Sequence, residues 1–101
     1  MKPTKQSANG TSFHDVVITT TVNTLRQVCG EPTYENNSGD DKVNFEWVME
    51  TDEGDVFTIY DWKEYRSLDE DRKVEFHIGA HSKMKSIQGK HELIAAIEEL
   101  N

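Results

Sequence analysis

Three segments in the middle of the chain alternate apolar and polar residues and are separated only by short polar stretches. In the first, Val43, Phe45, Trp47 and Met49 alternate with Asn44, Glu46, Val48 and Glu50. This period of two marks a strand with one face toward a core. Asp52-Glu53-Gly54 follows, and Gly54 suits the positive φ of a three-residue hairpin with a bulge. The partner strand spans 55–62, with Val56, Thr58, Tyr60 and Trp62 on one face and Phe57 and Ile59 on the other. Bulk on both faces predicts a central strand. After a charged loop over 63–71, residues 73–79 form the third strand, with Val74, Phe76 and Ile78 inward and Glu75 and His77 outward. Consecutive strands with such short links make an antiparallel meander.

The flanks add one strand and two helices. Residues 12–19 carry Phe13, Val16, Val17 and Ile18 and read as a short strand. Thr20 or Thr21 can N-cap the helix that follows, where Val22, Leu25, Val28 and Cys29 recur at helical spacing. Gly30 suits the helix end and Pro32 stops any continuation. Residues 31–41 form a polar loop, and 80–88 show no clear period. Residues 90–100 read as an amphipathic helix with Leu93, Ile94, Ile97 and Leu100 as its apolar stripe. The order β-α-β-β-β-α predicts an α+β fold, an antiparallel sheet of three to four strands with both helices on one face. Period-2 alternation assigns Glu46, Asp61, Glu75 and His77 to the exposed face. The 101 residues suit one domain over 11–101, preceded by a flexible tail over 1–10.

Composition excludes several classes. No apolar run approaches the roughly 20 residues of a membrane helix. The first ten residues are polar and lack the apolar core of a signal peptide, so the expected compartment is the cytoplasm. A net charge of −8 disfavours duplex nucleic acid. The single cysteine, Cys29, excludes an intramolecular disulfide and a cysteine-built zinc site. The charge is uneven: residues 31–71 hold 14 acids and 3 bases, a net of −11, whereas 72–91 hold five bases and one acid, a net of +4.

Several groups could bind a ligand. Thr11 and Ser12, in the small-residue loop Gly10-Thr11-Ser12, can offer hydroxyls and backbone N–H groups to phosphate oxygens. Tyr60 and Trp62 share a strand face and can stack a base, with Lys63 within reach of a phosphate. His77 can donate a hydrogen bond near neutral pH, so affinity for an anion should rise on mild acidification. Lys83 and Lys85 are secondary candidates. Each group has a plainer reading, as a turn, as core or as solvated lysines. His77 and His81 with Asp61 or His14 could ligate zinc, but the histidines straddle a strand end and lack the HExxH arrangement, so no metal and no cofactor are expected. No nucleophile motif is present and Cys29 lies on an apolar stripe, so the expectation is a non-catalytic protein. In a meander Trp62 falls beside the start of the third strand, near Arg72. His77 is therefore expected to reach it only across the sheet or from a neighbouring subunit. Val48, Phe57 and Ile59, assigned to the face without helices, predict a homo-oligomer, most simply a dimer.

Gly10-Thr11-Ser12, Gly30-Glu31-Pro32, Glu46-Trp47, Ile59-Tyr60-Asp61-Trp62-Lys63 and His77-Ile78-Gly79, in this order, resemble a group of small proteins of large tailed phages over about residues 10–82. His81 departs from the pattern, where a second small residue is expected after Gly79-Ala80. The resemblance implies a protein that disarms host defence, similar in size and architecture to phage sponge proteins that sequester cyclic nucleotide signals without cleaving them. The expected function is thus non-catalytic binding of a small nucleotide. The alternative is an acidic inhibitor that presents residues 31–71 to a basic host protein, as a nucleic-acid mimic.

Overall fold

The computed structural model of the chain describes residues 1–100; Asn101, the last residue of the expected domain, lies outside them. The elements are β1 (Lys2–Pro3), β2 (Ser12–Thr20), α1 (Val22–Cys29), β3 (Tyr34–Glu35), β4 (Phe45–Glu50), β5 (Val56–Asp61), β6 (Val74–Ala80) and α2 (Lys83–Glu98). They form an α+β architecture around an open antiparallel sheet of order β1-β4-β5-β6-β2, with β3 also paired to β4. The meander is present as β4, β5 and β6. The sheet has six strands because the two-residue pieces β1 and β3 share the outer edge of β4.

Register decides which side chains reach the helices. Trp47 lies opposite Ile59, and Met49 opposite Phe57. Ile59 in turn lies opposite Ile78. Phe45, Trp47, Met49, Phe57, Ile59, Phe76 and Ile78 therefore join one buried cluster, closed by Val22, Leu25 and Cys29 of α1 and Leu93 of α2. Phe57 and Ile59 are thus core residues, contrary to the assignment above, and only Val48 of the expected open-face trio lies away from the helices. The apolar patch that motivated the dimer is absent in that form. Asp61 also points inward and is fully buried, so it does not belong with Glu46, Glu75 and His77 on the second face.

The local signals around α1 hold. The Thr21 hydroxyl accepts from the Thr24 N–H at 3.0 Å, and Gly30 follows the last helical residue at φ 83°. Its carbonyl accepts the Trp47 indole N–H at 2.9 Å, tying the helix end to β4. Burial pushes the Cys29 thiol up to about 12, which leaves it protonated and inert.

Helix α2 starts at Lys83 rather than Lys90, capped by the Ser82 hydroxyl, which accepts from the Lys85 N–H. Its first half shows no apolar period because small residues make the contact: Ser86 and Gly89 are buried. A Cβ on Gly89 would stand 2.7–3.0 Å from three atoms of the Phe57 ring. Leu100, expected on the stripe, is exposed. Gly89→Ala should lower stability by roughly 1–3 kcal/mol, because overpacking outweighs the gain of about 1 kcal/mol in helix propensity. Chemical denaturation checks this; an unchanged or raised midpoint would show that Phe57 yields.

The first four residues of the expected 1–10 tail are held against the sheet. Lys2 and Pro3 pair with Glu50 and Met49. The Thr4 N–H donates to the Val48 carbonyl, and the Met1 amine pairs with Asp52 at 2.6 Å and Glu92 at 3.0 Å. From there the chain crosses to β2 on the far side of the sheet.

Candidate functional site

On the sheet face away from the helices, period-2 alternation brings four rings together. Tyr60 of β5 lies directly opposite His77 of β6. Their ring centroids are 5.5 Å apart in a T-shaped arrangement. Trp62, just past the end of β5, has its ring 6.1 Å from His77 and 28° from coplanar with it. Phe13 of β2 stacks on His77 at 3.8 Å and 10°. Trp62 and His77 thus share one site within one chain, because the Trp62 ring reaches toward β6. The expectation that His77 would reach Trp62 only across the sheet or from a neighbouring subunit is corrected: Trp62 directly follows β5, and β5 and β6 are adjacent strands of one chain.

Two backbone features place these rings. Phe13 lies opposite Gly79, after which the register shifts until Val17 meets His77. Asp15, at φ 62°, sits in this bulge. The bulge keeps Phe13 and Val17 on the open face while Val16 and Ile18 are buried. Gly79 makes the room: a Cβ there would stand 2.6 Å from Thr58 Oγ1 and 3.5 Å from Tyr60 Cε1. Phe13 was not among the expected site residues. The glycine facing it across the strands is the sequence signal that could have found it.

The Trp62 end is held by a buried polar hub. The Asp61 carboxylate accepts from the Asn44 N–H at 2.9 Å, the Phe45 N–H at 2.8 Å and the Asn44 side-chain amide at 3.0 Å. Asn44 also donates to the Arg66 carbonyl and accepts from the Gly39 N–H. Just beyond, the Lys63 N–H donates to the Lys42 carbonyl at 2.7 Å. This pairing brings both ammonium groups to Trp62, Lys63 Nζ at 5.6 Å and Lys42 Nζ at 5.8 Å from the ring centroid. Lys42, like Phe13, was missed; it precedes β4 in a loop without a motif.

Four of the eight expected residues, Tyr60, Trp62, Lys63 and His77, therefore converge. The other four do not join them. Ser12 pairs with Ala80, four residues along β6 from the level of Asp61, or roughly 13 Å. The Thr11 hydroxyl donates to the Ala8 carbonyl, and the Ser12 hydroxyl contacts His14 Nε2, which donates to the Ala80 carbonyl. Lys83 and Lys85 lie on the first turn of α2 beyond that same end, and Lys85 pairs with Asp55 at 3.3 Å.

The open face is partly desolvated. Burial raises the Glu46 carboxyl above its ordinary range, and burial together with Glu46 raises the Tyr60 phenol. Burial lowers His77, against opposing pulls from Glu75 and Asp15. His77 is therefore neutral at pH 7, and any tightening of anion binding through its proton is displaced to below about pH 6.5. The folded state disfavours the proton, so stability is full above 6.5 and falls as the pH drops toward the lowered value. Imidazole resonances followed by NMR should show His77 titrating below 6.5, and a midpoint above 7 would contradict this environment.

The acidic stretch is spent in part on internal bonds. Arg26 binds Glu31 at 2.5 Å, Glu70 at 2.7 Å and Glu35 at 3.0 Å, and Asp61 belongs to the hub. Among the described residues no group of three His, Cys, Asp or Glu side chains could hold a metal ion, and no helix is long and apolar enough to cross a membrane. Compared with known protein families, characterised proteins and solved structures, the chain matches none.

Proposed function

We propose that this protein binds a small nucleotide on the open sheet face without cleaving it, the base stacking on Trp62 beside His77 and the phosphates meeting Lys42 and Lys63. The observation that carries this reading is the four-ring platform with two ammonium groups at one rim. Base–aromatic stacking needs only an accessible π-face, and Trp62 and Phe13 are 40% and 37% exposed. Flexible lysines at the rim can neutralise phosphate without fixing its geometry. The net charge of −8 repels long polyanions, which favours a short ligand. With the tailed-phage resemblance, the role becomes sequestration of a cyclic nucleotide signal of host defence.

The test is calorimetry with mononucleotides and cyclic di- and trinucleotides, followed by chromatography of the recovered ligand. Saturable binding with intact nucleotide supports the reading. Absence of binding to every nucleotide overturns it, and recovery of a cleaved product overturns its non-catalytic part. The acidic-inhibitor alternative draws less from the structure, because several of its carboxylates are already bonded.

A further inference from the structure

Strand β2 ends the sheet, so its outer backbone edge is unpaired. Natural edges are guarded by bulges, lysines or prolines. The bulge at Asp15 guards the first half of β2, but Val17, Ile18, Thr19 and Thr20 beyond it are regular and carry none of these devices. Beside them runs a groove of about 440 Å³, lined by these four residues and by Lys90, Ile94, Ile97 and Glu98 of α2. The helix residues recur at i, i+4, i+7 and i+8 and form one stripe. Ile94 and Ile97 are only partly buried by the chain's own core.

The charges on this stripe are placed symmetrically. Lys90 and Glu98 each lie four residues from Ile94, roughly 6 Å along the axis on either side. Neither forms an ion pair among the described residues. A two-fold axis running between the two copies of Ile94 and between the midpoints of the two 17–20 segments would set Lys90 of one copy against Glu98 of the other, twice, with the isoleucines meeting between them. A self-complementary patch of this kind is what an isologous contact requires. We propose that a second copy of this chain occupies the groove, its β2 pairing antiparallel with β2 over residues 17–20 to join two sheets into one. This interface is distinct from the one expected from Val48, Phe57 and Ile59, and it does not depend on nucleotide binding.

Light scattering and sedimentation from about 1 μM to about 0.5 mM should show a dimer for the unaltered chain. Lys90→Glu should weaken it at least about tenfold, because two attractive pairs become repulsive, while circular dichroism, and the melting temperature measured at a concentration where both chains are monomeric, stay unchanged. The double variant Lys90→Glu/Glu98→Lys restores both pairs with reversed sign and should dimerise within a few-fold of the original. A chain that is monomeric over the whole range overturns the proposal. So does a dimer indifferent to Lys90→Glu, a double variant that fails to recover, or a monomer whose groove takes up an extended peptide instead.

Discussion

Replacing Asp61 with alanine should cost roughly 3–5 kcal/mol, a large share of the stability of a domain this size. The carboxylate is fully buried and accepts from two backbone N–H groups and one side-chain amide. Alanine removes all of these acceptors at once and leaves the donors dry, and an unmade buried bond costs more than a made one contributes. Asp61→Asn keeps one acceptor oxygen but turns an amide toward donors, so its loss should be intermediate. At roughly 4–8 °C per kcal/mol, the alanine variant should melt at least about 12 °C lower. A drop of only a few degrees would mean that water or a shifted loop replaces the carboxylate. Because Asn44 also binds the Arg66 carbonyl and the Gly39 N–H, the damage should spread to the loops that position Lys42 and Lys63.

Trp62→Ala has the larger consequence for binding. Loss of one stacking ring is worth roughly 1–3 kcal/mol, or about 5–150-fold in affinity. The ring is 40% exposed and outside the core, so melting temperature should hardly change. That separates it from Asp61→Ala, where fold and binding fail together. With a bound nucleotide in hand, calorimetry on this variant decides whether the platform is the binding surface; an affinity within twofold of the original would place the ligand elsewhere.

The meander and α1 were legible because each carries its own local signal: alternation in 43–50 and 73–79, a threonine cap and a terminal glycine around 22–29. The faces of β5 were not legible from β5 alone, since Phe57 and Ile59 compete with Val56 and Tyr60 as apolar candidates. Only pairing resolves them. The hairpin sets Met49 against Phe57 and Trp47 against Ile59, and the β4 pattern then decides. The first half of α2 was hidden because Ser86 and Gly89 make its contacts by being small, which no hydrophobic period records. Strands of two residues, β1 and β3, are too short to alternate. At the site, Tyr60, Trp62, Lys63 and His77 could be named from their spacing, whereas Phe13 and Lys42 arrive through a bulge and a loop–loop hydrogen bond that only the folded chain displays. Thr11, Ser12, Lys83 and Lys85 were misplaced because composition alone cannot say at which end of a sheet a loop falls.

The pairing of β2 with β6 has a consequence for how the molecule is made. Ser12 must find Ala80, and Thr20 must find Val74. At roughly 5–20 residues per second, about 60 residues of synthesis separate the two strands, so β2 waits some 3–12 s for the strand it pairs with in the same chain. The intervening hairpin of β4 and β5 can zip locally, but the closing contact is among the most distant in sequence, which is the kind that slows folding. During that wait the run Asp15-Val16-Val17-Ile18-Thr19-Thr20 is an unpaired, β-prone segment on a nascent chain. Asp15, whose carboxylate stands in the bulge of the finished sheet, is also the one charge inside that run, and so guards the chain against misassembly before there is a sheet to guard.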